Sequence, residues 1–451
     1  MNITDSIGVF TDGFSATNVL YGFWNILLVF LKYTWWLWVF FIVWKFMMGA
    51  FFYWRREAYR KKIRWVVLEL VIPRLIEKSP RLMDQFFQAL HALRNDADHL
   101  DEKYIDGETT QRYSVEMASF EGQVHFYMRI PAKQRDMIEA AFLSYYPDVE
   151  LIEIEDYMKK LPQNITDADR KDLDIWVTEF YLDKSPCLPI KTYIQFENMD
   201  EQHQFDPMST FLEVMARVKK GEYMGMQIVL QPLHRSWNYR CEPIVEELRE
   251  PKYSNQKQGV GDFQFQPMMM KSPGETDDLK TIEQNLSKPI FVTIPRVIYL
   301  APKLNFYDGL ARRGLKGAFN QYSSKDMNYF KDNVKVSTKP GFWDFPYVFP
   351  EMRRRIRKQR LLQYYIGRAF GSADDIGEFI YLSHWLNLQL HTKPVEISTE
   401  AVASLFHPPS NLVLTAPHTA RSESRKVGPS AGLPIYGEED AINKFYPKKD
   451  K

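Results

Sequence analysis

RYSVEMASFEGQVHFYMRIP, residues 112–131, decides the fold class. Apolar and polar side chains alternate on both sides of residues 121–122, as in two antiparallel strands joined by a tight turn. The flanking segments predict a strand in WVVLELVIPR (65–74), a helix in SPRLMDQFFQALHALRN (79–95), a helix in AKQRDMIEAAFLSYYP (132–147) and a strand in DVELIEIEDY (148–157). This β-α-β-β-α-β order predicts a ferredoxin-like domain over residues 65–160.

A second ferredoxin-like domain is expected over residues 161–350, with a looser match. Its predicted strands are TEFYLDKS, PIKTYIQFE, YMGMQIVLQP and PIFVTIPRVIYLAP, and its predicted helices are DPMSTFLEVMARVKKGE, DDLKTIEQNLSK and NFYDGLARRGLKGAFNQY. A Pro-, Gly- and Lys-rich stretch near residues 247–275 predicts a flexible insertion. The expected class is α+β with tandem ferredoxin-like repeats. A basic helical segment over residues 351–392 and an extended tail over residues 393–451 follow them.

Composition limits the function. The 451 residues include 58 Lys and Arg against 57 Asp and Glu, a net charge of +1. This balance argues against a chain that mainly coats nucleic acid, so any basic feature must be local. Two cysteines, Cys187 and Cys241, are too few for a disulfide framework or a four-cysteine zinc site, and they fit a reducing compartment.

A membrane segment is expected over residues 19–54, where six of the 11 tryptophans lie. Lys32 and Lys45 enclose an almost wholly apolar run, and their ammonium groups can extend toward opposite interfaces. A signal peptide fits less well, because the run starts late, is too long and lacks a cleavage site; a buried core hairpin stays open. The expected membrane-anchoring residues are Lys32, Trp35, Trp36, Trp38, Trp44, Lys45, Trp54, Arg55 and Arg56.

The flanks of this segment predict its orientation. Residues 1–18 contain no Lys or Arg, whereas the juxtamembrane stretch of residues 55–64 contains six basic residues. Basic residues next to a span stay on the cytoplasmic side. We therefore expect a single pass with the N-terminus outside and residues 65–451 in the cytoplasm. The basic stretch is also close enough to the bilayer to contact anionic headgroups, although topology alone explains it equally well.

Recognisable catalytic motifs are absent from the sequence. It contains no G-x-x-x-x-G-K-[ST], H-E-x-x-H, G-x-S-x-G or C-x-x-C pattern. We therefore expect no catalytic residue, no cofactor and no metal, and we predict that the protein is not an enzyme. One charged cluster could form a partner or anionic-ligand surface, or simply a solvated helix face: Arg353, Arg354, Arg355, Arg357, Lys358 and Arg360.

Several strings resemble a known family. They include LELVIPRLIEKSPRLMDQFFQALH, EGQVHFYMRIP, YYPDVELIEIEDY, LDIWVTEFYLDKS, PGFWDFPYVFP and ISTEAVASLFHPPSNLVLTAP. Together they resemble the membrane-anchored N-terminal module, a domain of unknown function, of bacterial type IV secretion and conjugation ATPase-like proteins. The resemblance covers nearly the whole chain after Trp65, and its motifs are patterns of hydrophobic and turn residues.

The resemblance implies a non-enzymatic scaffold or adaptor of the bacterial inner membrane. In the family a P-loop motor domain follows the tail, whereas this sequence ends at Lys451, so we expect the ATPase to be a separate chain. Other expected partners are the lipid bilayer and further secretion-machine subunits, and a homo-oligomer stays open. A docking tail is expected to use Leu405, Phe406, Leu412, Val413 and Leu414, unless it straps onto its own domain.

Two other functions compete with the scaffold. A membrane-tethered nucleic-acid-binding protein would use the basic residues 353–360. An enzyme would need a site of unfamiliar composition in the α/β units. Salt dependence separates the first of these from a docking scaffold, because phosphate binding weakens steeply with salt and an apolar contact does not.

Overall fold

The structure is a computed structural model. The residues that it describes are 16–73, 78–95, 99, 101–197, 206–233, 238–249, 252–253, 268–269, 273–324, 327–334, 336–338, 347–370 and 392–409. The predicted tail residues Leu412, Val413 and Leu414 lie outside these ranges, as does most of the predicted insertion.

The described helices are α1 (Ala16–Lys62), α2 (Arg81–Ala92), α3 (Arg135–Tyr145), α4 (Ile165–Arg170), α5 (Tyr193–Glu197), α6 (Met208–Ala216), α7 (Asn238–Arg249), α8 (Pro273–Leu286), α9 (Lys316–Asn320), α10 (Pro350–Gly367) and α11 (Thr399–Leu405). Two π-helical turns cover Glu102–Asp106 and Leu310–Leu315. The strands are β1 (Trp65–Val71), β2 (Tyr113–Phe120), β3 (Gln123–Pro131), β4 (Glu150–Ile154), β5 (Leu173–Leu182), β6 (Tyr223–Pro232), β7 (Lys252–Tyr253), β8 (Met268–Met269), β9 (Ile290–Pro302), β10 (Phe330–Asp332) and β11 (Val395–Ser398).

One antiparallel sheet of nine strands organises the fold, so the predicted α+β class is confirmed, whereas the predicted tandem ferredoxin-like repeats are not shown. Its order is β10-β5-β9-β6-β2-β3-β1-β4, and β11 pairs with the first residues of β9. At the middle of the sheet, β2 pairs with β6, from Tyr113 opposite Leu230 to Phe120 opposite Tyr223, and this pairing connects the strands of the two predicted domains. The two predicted α/β domains therefore share a single sheet.

Both faces of the sheet are covered, which explains why its central strands are apolar on two sides. On one face, α2, α3, α6 and α11 pack on side chains such as Leu68, Met117 and Phe126. On the other face, α4 and α10 pack on side chains such as Val177 and Ile298. The second face also carries the polar groups described below.

Two local predictions are wrong. PIKTYIQFE, predicted as a strand, contains helix α5. The Thr192 backbone N–H and hydroxyl donate to Gln195 Oε1 at 2.7 and 2.8 Å, which is one half of a capping box, and this local bonding outweighs the strand-like alternation. The tail is not extended from residue 393, because β11 and α11 lie there and Ser398 caps α11 through the Ala401 N–H.

Candidate membrane-junction and docking site

Helix α1 stands apart from the sheet. Its 47 residues would measure about 70 Å along the axis. Residues 32–62 include an 18-residue window with mean hydropathy 1.6, and none of that window is buried inside the structure. By length and composition this helix can cross a membrane. The predicted anchoring residues Trp35, Trp36, Trp38, Trp44 and Trp54 are all exposed on it.

The C-terminal part of α1 is tied to the α/β body. The Arg55 Nε–H donates to the Ile105 carbonyl, and the Tyr59 hydroxyl donates to Glu108 Oε1 at 2.8 Å. The Phe52 and Tyr104 rings lie 5.3 Å apart. Of the two predicted anchoring arginines, Arg55 therefore contributes to the junction with the π-helical turn Glu102–Asp106.

A row of polar side chains crosses the second face of the sheet. In neighbouring strands, Glu116 lies opposite Gln227, Gln227 opposite Arg296, and Arg296 opposite Glu179. Arg296 Nε donates to Glu179 Oε1 at 2.8 Å and its Nη1 donates to Gln227 Oε1 at 3.0 Å. All four side chains are buried. Buried polar groups of this kind are stable only when bonded to each other.

The end of α10 closes over this row. Arg296 Nη1 donates to the Tyr364 carbonyl and Nη2 to the Ala369 carbonyl, both at 2.8 Å. Gln227 Nε2 donates to the Tyr365 carbonyl at 3.0 Å. The row therefore adds donors to the Tyr364 and Tyr365 carbonyls in the last turn of α10, which also accept from the Ala369 and Arg368 backbone N–H groups, and to the Ala369 carbonyl just after the helix.

Arg368, just after α10, is the strongest link. Its Nε donates to Glu116 Oε1 at 2.7 Å, and its Nη1 and Nη2 donate to the two Asp156 carboxylate oxygens at 2.7 and 2.9 Å. Tyr157 also donates its hydroxyl to Glu116 Oε2 at 2.6 Å. Arg368 adopts φ +49°, a left-handed conformation that a non-glycine residue rarely takes.

The charges of this cluster hold each other ionised. Burial raises the pKa of the Glu116 carboxyl, but the attraction and hydrogen bonds of Arg368 outweigh it, so this pKa is below its usual value. The pKa of Asp156 is lowered in the same way, with burial opposed by the hydrogen bond and charge of Arg368. Burial lowers the pKa of Arg368, yet both carboxylates raise it well above normal. Groups bonded in this manner fix the position of α10.

The predicted basic cluster is divided by the packing of α10. Arg353 and Arg357 are buried, and therefore do not offer a surface to a partner. Lys358 pairs with Asp174, and Arg355 Nη2 lies 2.9 Å from Asp169 Oδ2. Arg354 and Arg360, the other two members, are half-buried.

The exposed face of α10 carries an apolar stripe instead. Met352 and Ile356, 55% and 36% exposed, are four residues apart and share one side of the helix, and Phe349, 70% exposed, directly precedes the helix with φ +46°. Sequence reasoning missed this stripe. The spacing was visible, but the surrounding arginines suggested a charged surface, and only the packing of Arg353 and Arg357 shows which side faces outward.

Two tail residues have an internal role. Leu405 and Phe406 are fully buried in the core, on the face of the sheet that α2, α3, α6 and α11 cover. The Phe406 ring lies 5.9 Å from that of Phe126. These two residues are therefore not exposed for docking. They pack against the domain that precedes them and form part of its core.

The two cysteines are paired. Cys187 and Cys241 form a disulfide with Cα atoms 5.6 Å apart, and both are buried beside Ile290. A pair with this geometry is oxidised in an oxidising compartment and stays reduced in the cytoplasm, so the redox state of the pair in the cell tests the expected reducing compartment. Their separation of 54 residues gave no local signal of pairing. Among the residues that the structure describes, no group of three His, Cys, Asp or Glu side chains could hold a metal ion.

A family model described as Domain of unknown function (DUF8128) matches residues 69–419. The chain belongs to this family. The match covers the whole sheet except the first residues of β1, together with α10 and α11. No curated protein matches the chain. The expected membership of an uncharacterised family is therefore confirmed, while nothing in the match links the DUF8128 domain to type IV secretion.

Proposed function

We propose that this protein is a non-enzymatic, single-pass scaffold of the bacterial inner membrane that docks a cytoplasmic P-loop ATPase, supplied as a separate chain, in a type IV secretion-like machine. The observation that carries the docking role is the orientation of α10. This helix buries Arg353 and Arg357 and presents Met352 and Ile356 outward, next to the exposed Phe349 that precedes it. Exposed apolar side chains in a row are typical of a protein-binding surface.

The membrane role rests on α1. Its apolar surface is exposed and includes the predicted anchoring tryptophans. Six basic residues follow the span, which favours a cytoplasmic location for the α/β body. The contacts of Arg55 and Tyr59 with residues 105 and 108 would hold that body at a fixed position below the membrane.

The identity of the partner rests on the sequence resemblance alone. The strings that resemble the type IV secretion and conjugation family lie on the sheet, on α2 and just before α10. We infer an ATPase partner because the resembling module precedes a P-loop motor in that family. The competing nucleic-acid role has less support, because two of the six clustered basic residues are buried and two are paired with aspartates.

We also propose that the sheet arose from two ferredoxin-like halves. In chain order, each half places its fourth strand beside its first, then its third, then its second: β4-β1-β3-β2 and β10-β5-β9-β6. Glu69 in β1 lies opposite Tyr127, and Tyr127 lies opposite Glu116, so the polar row extends through β3 to β1. Glu69 in β1 and Glu179 in β5 therefore occupy matching positions, each in the first strand of its half. The halves would meet through their second strands.

Docking is tested with a stripe variant. Met352→Ser combined with Ile356→Ser should abolish co-purification of the ATPase, identified by its own P-loop sequence, with the full chain. The matched control is Met137→Ser combined with Leu143→Ser, which changes exposed residues on α3. ATPase retained by the stripe variant, or lost equally in both, would show that this surface does not dock it.

Topology and activity have separate tests. Cysteines introduced at Ser6 and Ser254 should be labelled from opposite sides of the membrane, and labelling of Ser254 from outside intact cells would refute the orientation. The purified chain should not hydrolyse ATP, because it lacks a phosphate-binding loop with its lysine. Turnover that survives removal of contaminating ATPases would refute the scaffold.

A further inference from the structure

A cavity of about 320 Å³ opens where α1 meets the sheet. Arg60 and Lys61 at the end of α1 line one side, and Arg112 and Arg129 at the adjoining ends of β2 and β3 line another. The only acidic residue among its lining residues is Glu57. The cavity is therefore lined mainly by positively charged side chains and is open to solvent.

The two arginines from the sheet are held in place by aromatic rings. The Arg129 guanidinium lies 3.9 Å from the centroid of the Trp65 ring, and that of Arg112 lies 4.5 Å from the Phe370 ring. Arg112 Nε also donates to Gln231 Oε1 at 3.0 Å. Guanidinium groups stacked in this way are pre-organised and lose little conformational freedom on binding a ligand.

The positive charge of the cavity is only partly offset by the Glu116 and Asp156 carboxylates behind it, which raise the pKa of Arg129 by less than burial and Arg368 lower it. Glu116 and Asp156 lie beyond Arg368, which bonds to both. Burial, and then repulsion from Arg368, lower the pKa of Arg129 to about 10, so this group is charged at neutral pH in a positive surrounding. An anion in the cavity would relieve that repulsion.

The cavity also lies at the correct depth for a lipid headgroup, given the proposed membrane role of α1. Arg60 follows Trp54 by six residues, or about 9 Å along a helix. The polar region of each leaflet is roughly 5–8 Å thick. Arg60 and Lys61 would therefore lie at the outer edge of the headgroup region, from where their long side chains can extend toward the phosphates of the leaflet from which α1 emerges.

We propose that this cavity binds the phosphate of an anionic phospholipid. Besides Arg368, which bonds to Glu116 and Asp156, four basic side chains line the cavity from two directions, and they match a phosphodiester whose headgroup carries no cation. A choline headgroup has the same phosphate, but its trimethylammonium group would be repelled by these side chains. The bound lipid would join the end of α1 to the sheet, and so set the angle between the α/β body and the membrane.

The test uses the full chain in detergent micelles at about 0.15 M salt, where charges beyond about 8 Å are screened. Phosphatidylglycerol is titrated and the bound lipid is counted by native mass spectrometry. Lys61→Gln combined with Arg129→Gln should weaken binding roughly tenfold or more, at about one factor of five per basic residue. The matched control, Lys62→Gln combined with Arg64→Gln, removes the same charge from exposed positions that do not line the cavity, and should change binding by less than about twofold.

Several outcomes would overturn the proposal. These are equal losses in the two double variants, equal binding of phosphatidylcholine, or occupancy by inorganic phosphate with no binding of the lipid. If the Arg129 variant does not fold, Lys61→Gln alone against Lys62→Gln decides the question, because both lysines are exposed. If the wild-type chain binds no phosphatidylglycerol but still co-purifies with the ATPase, only the lipid-site proposal is contradicted. If the chain is absent from membrane fractions, the membrane anchor on which both proposals rest is contradicted.

Discussion

Arg368 places its Nε 2.7 Å from Oε1 of Glu116, which is 252 positions earlier in the chain, and both side chains are buried. This contact joins the end of α10 to the centre of the sheet. Because Arg368 also binds Asp156, one guanidinium compensates two carboxylates. The proposed docking surface on α10 therefore depends on a buried ionic cluster for its position.

Arg368→Gln should destabilise the protein strongly. Removing the guanidinium leaves the buried Glu116 carboxylate without its counter-charge, which typically costs about 3–5 kcal/mol of unfolding free energy. Denaturant unfolding of the purified chain measures this loss.

The control for that variant lies on the same helix. Arg355→Gln removes an exposed ion pair with Asp169 and should cost less than about 1 kcal/mol. Adding Glu116→Gln to Arg368→Gln should recover part of the loss, because the uncompensated charge is removed as well. Equal effects of the two single variants would contradict a special role for Arg368.

Stability should fall at acid pH because of the same cluster. The pKa values of Glu116 and Asp156 are lowered in the folded chain, after burial is outweighed by Arg368. Their stabilisation is therefore present above the unfolded pKa values of about 4, and is lost as the pH falls through the folded values. Thermal melting between about pH 7 and pH 3 should show this decline.

In the Arg368→Gln variant, the contribution of the buried Glu116 carboxyl to stability should increase, rather than decrease, as the pH falls. Without the guanidinium, burial of Glu116 is opposed by the hydrogen bonds of Tyr157 and Ser114, so its pKa should rise and protonation at low pH should relieve the unfavourable charge. The difference in melting temperature between wild type and variant should shrink as the pH falls toward 4. A constant difference across the whole range would mean that the carboxylates do not titrate as the geometry indicates.

The sequence predicted elements well where the signal was local, and contacts poorly where it was not. The alternation around residues 121–122 placed β2 and β3 correctly, and the apolar spacing of Leu82, Phe86 and Leu90 placed α2. The basic cluster was harder to interpret, because the order of residues along α10 does not reveal that Arg353 and Arg357 are buried in the folded chain. Lys358, for example, pairs with Asp174, 184 residues away.

Gly107→Ala should loosen the junction between α1 and the body. Gly107 has φ +72°, and a Cβ there would lie 2.6 Å from the Arg55 carbonyl carbon, a backbone atom that cannot move without shifting α1. We expect a loss of about 1–3 kcal/mol, together with faster proteolysis within residues 55–64. Gly317→Ala is the control: it meets nothing within 4 Å and should be neutral or slightly stabilising. Identical proteolysis of the two variants would argue against a tight junction.

The state of Cys187 and Cys241 tests the proposed topology independently. The two residues are placed for a disulfide, but the cytoplasm keeps such pairs reduced. If the α/β body is cytoplasmic, denaturing the cells in acid and alkylating at once should modify both thiols, and the purified protein should oxidise in air. A chain that is fully disulfide-bonded in untreated cells would place the body in an oxidising compartment and contradict the cytoplasmic orientation.

The final prediction separates the two parts of the tail. Phe406 is buried beside Phe126, so Phe406→Ala should cost about 3–5 kcal/mol through the cavity that it leaves. Deleting residues 410–451 keeps both Leu405 and Phe406. If Leu412, Val413 and Leu414 form a docking arm, this deletion should leave the melting temperature of the chain nearly unchanged while abolishing co-purification of the ATPase.

The opposite pattern has an equally clear meaning. A deletion that lowers the melting temperature sharply, while the ATPase still co-purifies, would show that residues 410–451 stabilise the sheet as β11 and α11 do. Docking would then depend on the α10 stripe alone. The Met352→Ser, Ile356→Ser variant decides between these cases, because its exposed side chains contribute little to folding and its only expected defect is in binding.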